Sequence, residues 1–213
     1  MSKNSTIELY GSITSRTFRI HWALQELGLS YKQHLISGRG GGTQTPEFLK
    51  LNPSGLIPFL VDNVDNGPPV LLGESSAILT YLGDRYGQDI QFTPKFNTQK
   101  RYTYDQLMSE LLHNVGIPLE LSLVKVLGGM DLGAKLDGWL EQRFERYINV
   151  LNDRLERNPS GWLNGENFSA IDIMYARKYL IFTYYFLYNI KYIFININDI
   201  ILNYWQQYEA FSL

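Results

Sequence analysis

The chain has 213 residues, of which 45% are hydrophobic and 19% are charged, a composition typical of a soluble globular protein with one large domain or two small ones. Its 19 basic and 21 acidic residues give a net charge of −2, so the strongly basic character of a nucleic-acid-binding protein is excluded. There is no cysteine, which excludes disulfides, thiolate metal sites and a cysteine nucleophile of the protein itself.

The first ninety residues alternate between strand and helix patterns. Short apolar runs closed by glycine, proline or polar residues predict strands, whereas apolar residues three and four positions apart predict helices. The predicted order is strand, helix, strand, helix, strand, strand, helix, over 7–12, 16–27, 30–36, 46–51, 59–61, 70–73 and 74–87. One parallel βαβ unit followed by a hairpin and a helix indicates a small mixed sheet.

After residue 87 the pattern changes to long helices. Residues 88–98 are predicted to be a linker, so we expect one domain at 1–87 and an all-helical domain at 99–213. Ser169 and Asp172 have the S-x-x-D spacing of a capping box. In such a box the serine side chain caps the amide three residues later, and the carboxylate accepts a hydrogen bond from the amide of the serine.

The segment 177–207 is atypical, because tyrosine, isoleucine, phenylalanine, leucine and asparagine make up most of it. Polar residues such as Asn189, Lys191 and Asp199 interrupt it before a span of about 20 apolar residues is reached, so a buried or interfacial helix is preferred to a membrane anchor over 179–202. We hypothesise that 177–207 derives from retained noncoding sequence or an insertion. A mature transcript that codes continuously through this segment would disprove that origin.

Four stretches, in this order and spacing, carry a family likeness: "IELYGSITSRTFRIHWALQELGLSYK", "NPSGLIPFLVD", "LLGESSAILTYL" and "GENFSAIDIM". Over roughly residues 6–176 the chain resembles the cytosolic glutathione transferases, and within them the serine-type classes more than the tyrosine-type. The resemblance implies an α+β thioredoxin-like N-terminal domain followed by an all-α helical domain. It also implies glutathione as cosubstrate, no metal, and a homodimer.

The resemblance assigns the glutathione contacts to two places. It implies that Ile57–Pro58 is a cis peptide whose backbone pairs with the cysteinyl part of glutathione, as in strand addition. It also implies that Ser75 receives the γ-glutamyl carboxylate and Glu74 the ammonium, at a helix start where free amides attract an anion. The alternatives are that Pro58 merely begins a strand and that Ser75 or Ser76 is an ordinary N-cap.

The resemblance places the group that activates the thiol in "YGSITS". We expect Ser15, at the start of the first helix, to favour the thiolate through its hydroxyl and the helix dipole. Tyr10 is the second candidate, and Ser12 or Thr14 the third. The alternatives are that Ser15 only caps the helix and that Tyr10 only packs in the core. Arg19, in the same helix, is compatible with a plain solvated charge.

One departure concerns the position after Gly55, which in the family often carries a lysine or glutamine that helps to hold glutathione. Here it is Leu56, with Gln44 and Lys50 as possible substitutes for the glycyl end. A second-substrate pocket is expected around Leu107, Leu111, His113 and Val115.

The predicted function is therefore a cytoplasmic glutathione transferase that conjugates glutathione, held as the thiolate, to a hydrophobic electrophile. The alternatives are a catalytically impaired transferase-like binding or regulatory module, a glutathione-dependent peroxidase, and a membrane-attached protein. A nucleic-acid partner is not expected, because the net charge is −2.

Overall fold

The computed structural model describes residues 6–38, 40–64, 67–118, 120–121, 125, 129 and 131–175. The strands are β1 (Thr6–Tyr10), β2 (Tyr31–His34), β3 (Phe59–Asn63) and β4 (Val70–Gly73). The helices are α1 (Thr17–Glu26), α2 (Pro46–Leu51), α3 (Ser75–Tyr86), α4 (Gln99–Glu110) and α5 (Ala134–Glu156), with a short 3₁₀ turn at Gly42–Gln44 and a π-helical turn at Leu111–Gly116. The predicted β-α-β-α-β-β-α order of the first ninety residues is confirmed.

The four strands form one mixed sheet in the order β2-β1-β3-β4. β1 runs parallel to β2, because α1 crosses over between them, whereas β3 is antiparallel to both β1 and β4. Tyr10 pairs with Phe59, and Phe59 pairs with Gly73 on its other side. The C-terminal ends of β1 and β4 and the N-terminal end of β3 therefore share one edge of the sheet.

Each face of the sheet has its own apolar core, because successive strand residues point to opposite faces. On one face Ile7, Leu9 and Leu60 are buried, as are apolar residues of the packed helices α1 and α3: Ile20, Ala23, Leu24, Ile78, Leu79 and Leu82. On the other face, Phe48 of α2 forms a cluster with Phe59 and Val61. The thioredoxin-like fold predicted for this part of the chain is confirmed, and so is the helical region that follows it.

The described residues divide into two compact units. One contains the described residues up to Glu110 together with Ile148–Met174, and the other contains those of Leu111–Tyr147 together with Tyr175. The domain boundaries expected from the sequence, 1–87 and 99–213 with a linker at 88–98, stay a prediction. The predictions for 177–207 fall outside the described residues.

A buried polar network stands at the start of the helix that begins at residue 170. Asp172 accepts hydrogen bonds from the amide of Ser169 at 2.9 Å, from the Ser169 hydroxyl at 2.8 Å and from the amide of Leu163 at 2.9 Å. The predicted box is present, with one difference: the Asp172 amide donates to the Ser169 carbonyl, and the serine hydroxyl donates to the carboxylate. In the part of the chain that the structure covers, no helix is both long and apolar enough to cross a membrane.

Candidate active site

The sequence-predicted site residues lie at one edge of the sheet. Tyr10 is the last residue of β1, Ile57 and Pro58 directly precede β3, and Glu74 and Ser75 directly follow β4. Ser15 lies in the turn between β1 and α1. Neither α1 nor α3 carries an acidic residue in its first turn, although the residue that directly precedes α3 is Glu74. Such an edge is suited to an anionic ligand.

The turn from β1 to α1 requires a glycine. Gly11 has φ +141°, and a Cβ at this position would lie 2.1 Å from Thr17 Oγ1. Beyond Gly11, the Ser15 hydroxyl donates to the Ser12 carbonyl at 2.6 Å and lies 2.8 Å from Thr17 Oγ1. Ser15 Oγ also accepts from the Thr17 amide at 3.2 Å, so Ser15 satisfies one of the free amides at the start of α1.

The two remaining hydroxyl candidates are in the same turn. Ser12 Oγ and Thr14 Oγ1 lie 2.8 Å apart, and the Thr14 amide donates to Ser12 Oγ at 3.3 Å. The Thr14 side chain is exposed and that of Ser12 is half-buried. The turn therefore presents a small hydroxyl network at the start of α1.

Tyr10 is turned back along its own strand. Its hydroxyl donates to Glu8 Oε2 at 3.3 Å, and its ring stacks on His34 with ring centroids 4.2 Å apart. Glu8 Oε2 is also 2.6 Å from His34 Nε2, and this hydrogen bond is the main reason that the pKa of Glu8 is lowered. Burial, followed by the Glu8 carboxylate, raises the pKa of the Tyr10 hydroxyl. A raised pKa makes a phenol a weaker donor to a thiolate.

The Ile57–Pro58 peptide is cis, as the resemblance implies. The ladder of β3 begins only at Phe59, so the backbone of Ile57 precedes the sheet's own pairing. No hydrogen bond joins the Ile57 main chain to another residue that the structure describes. Pro58 is buried, and the Ile57 side chain packs against the cluster of Phe48, Phe59 and Val61. These contacts fix the backbone of the two residues.

The start of α3 differs from the ordinary cap considered for it. Glu74 is the N-cap, with φ 59° and no side-chain cap hydrogen bond, and Ser75 is the first helical residue. Ser75 and Ser76 are therefore not the N-cap. A non-glycine residue at positive φ stores roughly 1–3 kcal/mol of strain, which is found most often at functional sites. The Glu74 carboxylate is exposed and can accept an ammonium group.

The Ser75 hydroxyl points into the protein. It accepts a hydrogen bond from Arg19 Nη1 at 2.9 Å and donates to Met174 Sδ at 3.9 Å. What Ser75 offers a ligand carboxylate is therefore its amide, next to that of Ser76. Because Ser75 is only 4% exposed, its position is fixed by these interior contacts.

Arg19 is the site residue that sequence reasoning missed. It is 2% exposed, so its interpretation as a solvated charge was wrong. The available signal was the helix period: Arg19 precedes the buried Ala23 by one turn and so lies on the apolar face of α1. Its guanidinium ties α1 to the start of α3.

The residues expected to line a second-substrate pocket are of mixed exposure. Leu107, Leu111 and Val115 are buried, and His113 is exposed. Among the described residues, no group of three or more His, Asp or Glu side chains is arranged to hold a metal ion.

Comparison with known proteins agrees with this architecture. The family model described as "Glutathione S-transferase, N-terminal domain" matches residues 15–85. The chain is 33% identical over 177 residues to the disulfide-bond oxidoreductase YfcG of Escherichia coli (strain K12), covering 78% of this chain and 76% of that one. It is 40% identical over 169 residues to a zeta-class glutathione S-transferase of Euphorbia esula, covering 78% and 72%.

A solved structure gives the same result for the fold. A glutathione transferase family member of Pseudomonas fluorescens Pf-5, crystallised with two glutathione molecules bound, superimposes with a TM-score of 0.71 at 26% identity, over 84% of this chain and 78% of that one. Together these similarities show the class of protein that the sheet edge and its helix starts define. The chain belongs to the glutathione S-transferase family.

Proposed function

We propose that the protein binds glutathione at this sheet edge and conjugates its sulfur to a hydrophobic electrophile. The γ-glutamyl carboxylate binds the amides of Ser75 and Ser76, its ammonium binds Glu74, and the cysteinyl backbone pairs with Ile57. The observation that carries the proposal is that the start of α1, the start of α3 and the Ile57 backbone, which is unpaired among the described residues, share one edge of the sheet.

The chemical step needs little from the protein beyond stabilisation of an anion. The bound thiol loses its proton to water, and the thiolate sulfur attacks the electrophilic carbon, forming a C–S bond. With a halide substrate the halide leaves with its electron pair. With an activated alkene the new carbanion takes a proton from water. Because the chain has no cysteine, the nucleophile comes with the ligand.

We propose Ser15 as the group that stabilises the thiolate. Its hydroxyl lies at the start of α1, where the dipole acts in the same direction, and the ligand sulfur would compete with the Ser12 carbonyl for its proton. Tyr10 is less suited, because its hydroxyl is hydrogen bonded to Glu8, two residues earlier on the strand and away from the site edge. Thr14 and Ser12 remain as neighbouring hydroxyls.

The test is a pH titration of the thiolate absorbance of glutathione bound to the purified protein. We expect a thiol pKa at least about one unit below the ordinary value of about 8.5, lost in Ser15→Ala and retained in Tyr10→Phe. Thr14→Val is the control for a neighbouring hydroxyl. A depression that survives Ser15→Ala but disappears in Tyr10→Phe would move the role to Tyr10. If glutathione does not bind, the proposed function is wrong.

A thiolate held in this way can also attack a disulfide, and the relative YfcG is named a disulfide-bond oxidoreductase. The same preparation should therefore be assayed with a chlorinated aromatic substrate and with a mixed disulfide of glutathione. Faster turnover of the disulfide would favour thiol–disulfide exchange as the main reaction.

We also propose a role in detoxification, a homodimer and a cytoplasmic location. These rest on the family resemblance, in which the N-terminal domain of one subunit faces the helices of the other. Light scattering of the purified chain measures the mass directly, and a mass near 24.6 kDa would contradict the dimer.

A further inference from the structure

The residues beside the glycyl end of the proposed ligand bear on its specificity. We propose that the described residues of this site place no fixed positive charge against the glycyl carboxylate, so that the site accepts γ-glutamyl thiols with a neutral C-terminal end as readily as glutathione. This inference rests on the proposed function and concerns the same site.

The sheet register fixes the direction in which the ligand lies. Phe59 pairs with Gly73, so Pro58 is the residue before β3 that lies nearest to Glu74 and the start of α3. A ligand with its γ-glutamyl end at α3 and its cysteine beside Ile57 therefore runs antiparallel to residues 56–58. Its third residue lies beside Leu56.

Leu56 is held in place by the loop that contains it. The Asn52 side chain donates to the Leu56 carbonyl at 2.8 Å, and the Gly55 amide donates to the Asn52 carbonyl at 3.0 Å. Asn52 is 5% exposed, whereas the Leu56 side chain is 59% exposed. A buried polar side chain thus fixes the backbone, and an apolar side chain is presented to solvent beside the ligand's third residue.

The two polar substitutes expected from the sequence are placed elsewhere. Gln44 Nε2 donates to Thr43 Oγ1 at 3.2 Å and to the Gly55 carbonyl at 3.3 Å, so both of its protons support the loop. Among the described residues between 35 and 64, Lys50 is the single lysine or arginine, and Arg39 lies outside the described residues. Lys50 is exposed on α2, about 200° around the helix from Phe48, whose side chain is buried against the sheet. Lys50 is therefore on the side of α2 opposite to the one that packs on the sheet.

The test compares the binding of two ligands by calorimetry: glutathione and its glycyl monoethyl ester, which lacks only the terminal charge. We expect dissociation constants within about threefold of each other for the unmodified chain. A site with a charge-assisted hydrogen bond to this carboxylate would favour glutathione on the order of tenfold or more. Such a preference overturns the inference and leaves the proposed function standing, whereas failure of both ligands to bind refutes the proposed function.

Leu56→Lys should create the missing preference. We expect glutathione to bind about tenfold more tightly to this variant while the ester is unchanged. Leu56→Met controls for the altered side chain, and Ile90→Lys adds the same charge beyond the C-terminal end of α3, about 18 Å from its start. An equal gain for Ile90→Lys would contradict the local explanation. A preference of the unmodified chain for glutathione over the ester would also contradict the inference if Arg39→Ala abolished it. The glycyl carboxylate would then be bound by Arg39.

Discussion

The buried bond between Ser169 and Asp172 makes a direct test of how the start of the last described helix is held. Ser169→Ala removes a hydroxyl that donates to Asp172 Oδ2 at 2.8 Å. Both residues are buried: Ser169 is 4% exposed and Asp172 is 9% exposed. The deleted oxygen is small, so little apolar packing is lost. The effect is therefore mainly electrostatic.

The magnitude follows from the three hydrogen bonds to the carboxylate. In the variant, Oδ2 keeps only the Ser169 amide, while Oδ1 keeps the amide of Leu163. A hydrogen bond to a charged group contributes about 1.5–3 kcal/mol, and the group left under-satisfied cannot turn to water at this burial. We expect the free energy of unfolding to fall by about 2–3 kcal/mol. For a chain of this size, that lowers Tm by roughly 5–10 °C.

Urea titrations followed by tryptophan fluorescence and by circular dichroism measure this difference. The expected result is a lower midpoint with an unchanged slope, because the surface exposed on unfolding is the same. Ser54→Ala is the matched control: the Ser54 hydroxyl also donates at 2.8 Å, but from an exposed residue to the neutral Asn52 side chain. We expect less than about 1 kcal/mol there. Equal losses in the two variants would refute the argument that the charge and its burial set the effect.

Three further changes test the fold and the site. Burial raises the pKa of Asp172 from 3.8 to about 6, although the hydrogen bonds to its carboxylate act to lower it. Between about pH 4 and pH 6 the native state therefore retains a proton that the unfolded state has released. The stability of the unmodified chain relative to Asp172→Asn should then fall by roughly 3 kcal/mol as pH rises through this window, and a difference that is flat in urea titrations would contradict the shift. Gly11→Ala places a Cβ 2.1 Å from Thr17 Oγ1 and should cost roughly 2–4 kcal/mol, seen as a lower Tm; an unchanged Tm would show that the turn adapts. Arg19→Met removes the donor to Ser75 and should weaken glutathione binding about tenfold in calorimetry. An unaffected dissociation constant in a cooperatively folded variant would mean that Ser75 needs no such support.

Local pattern was enough to predict the elements of the N-terminal part. Short apolar runs over 59–61 and 70–73, the helix stops at Gly28 and Gly87, and Pro46 at the first position of α2 are signals carried by a few adjacent residues. The resemblance to the glutathione transferases then implied that Tyr10, Ile57 and Ser75 belong to one site. The strand register brings them to one edge, because the ends of β1, β3 and β4 coincide there.

What a side chain does at that edge depends on residues that are distant in sequence, and here only the tertiary structure was informative. Arg19 is buried because Ser75, 56 positions later, gives its guanidinium a partner. The Tyr10 hydroxyl is directed to Glu8 because His34, on the neighbouring strand, stacks on its ring. Burial and hydrogen bonding are properties of pairs of residues that folding brings together. The sequence by itself therefore determined the elements, the family and the proposed location of the site, whereas the tertiary structure decided which charged and hydroxyl groups are exposed at that edge and which are tied up in contacts inside the protein.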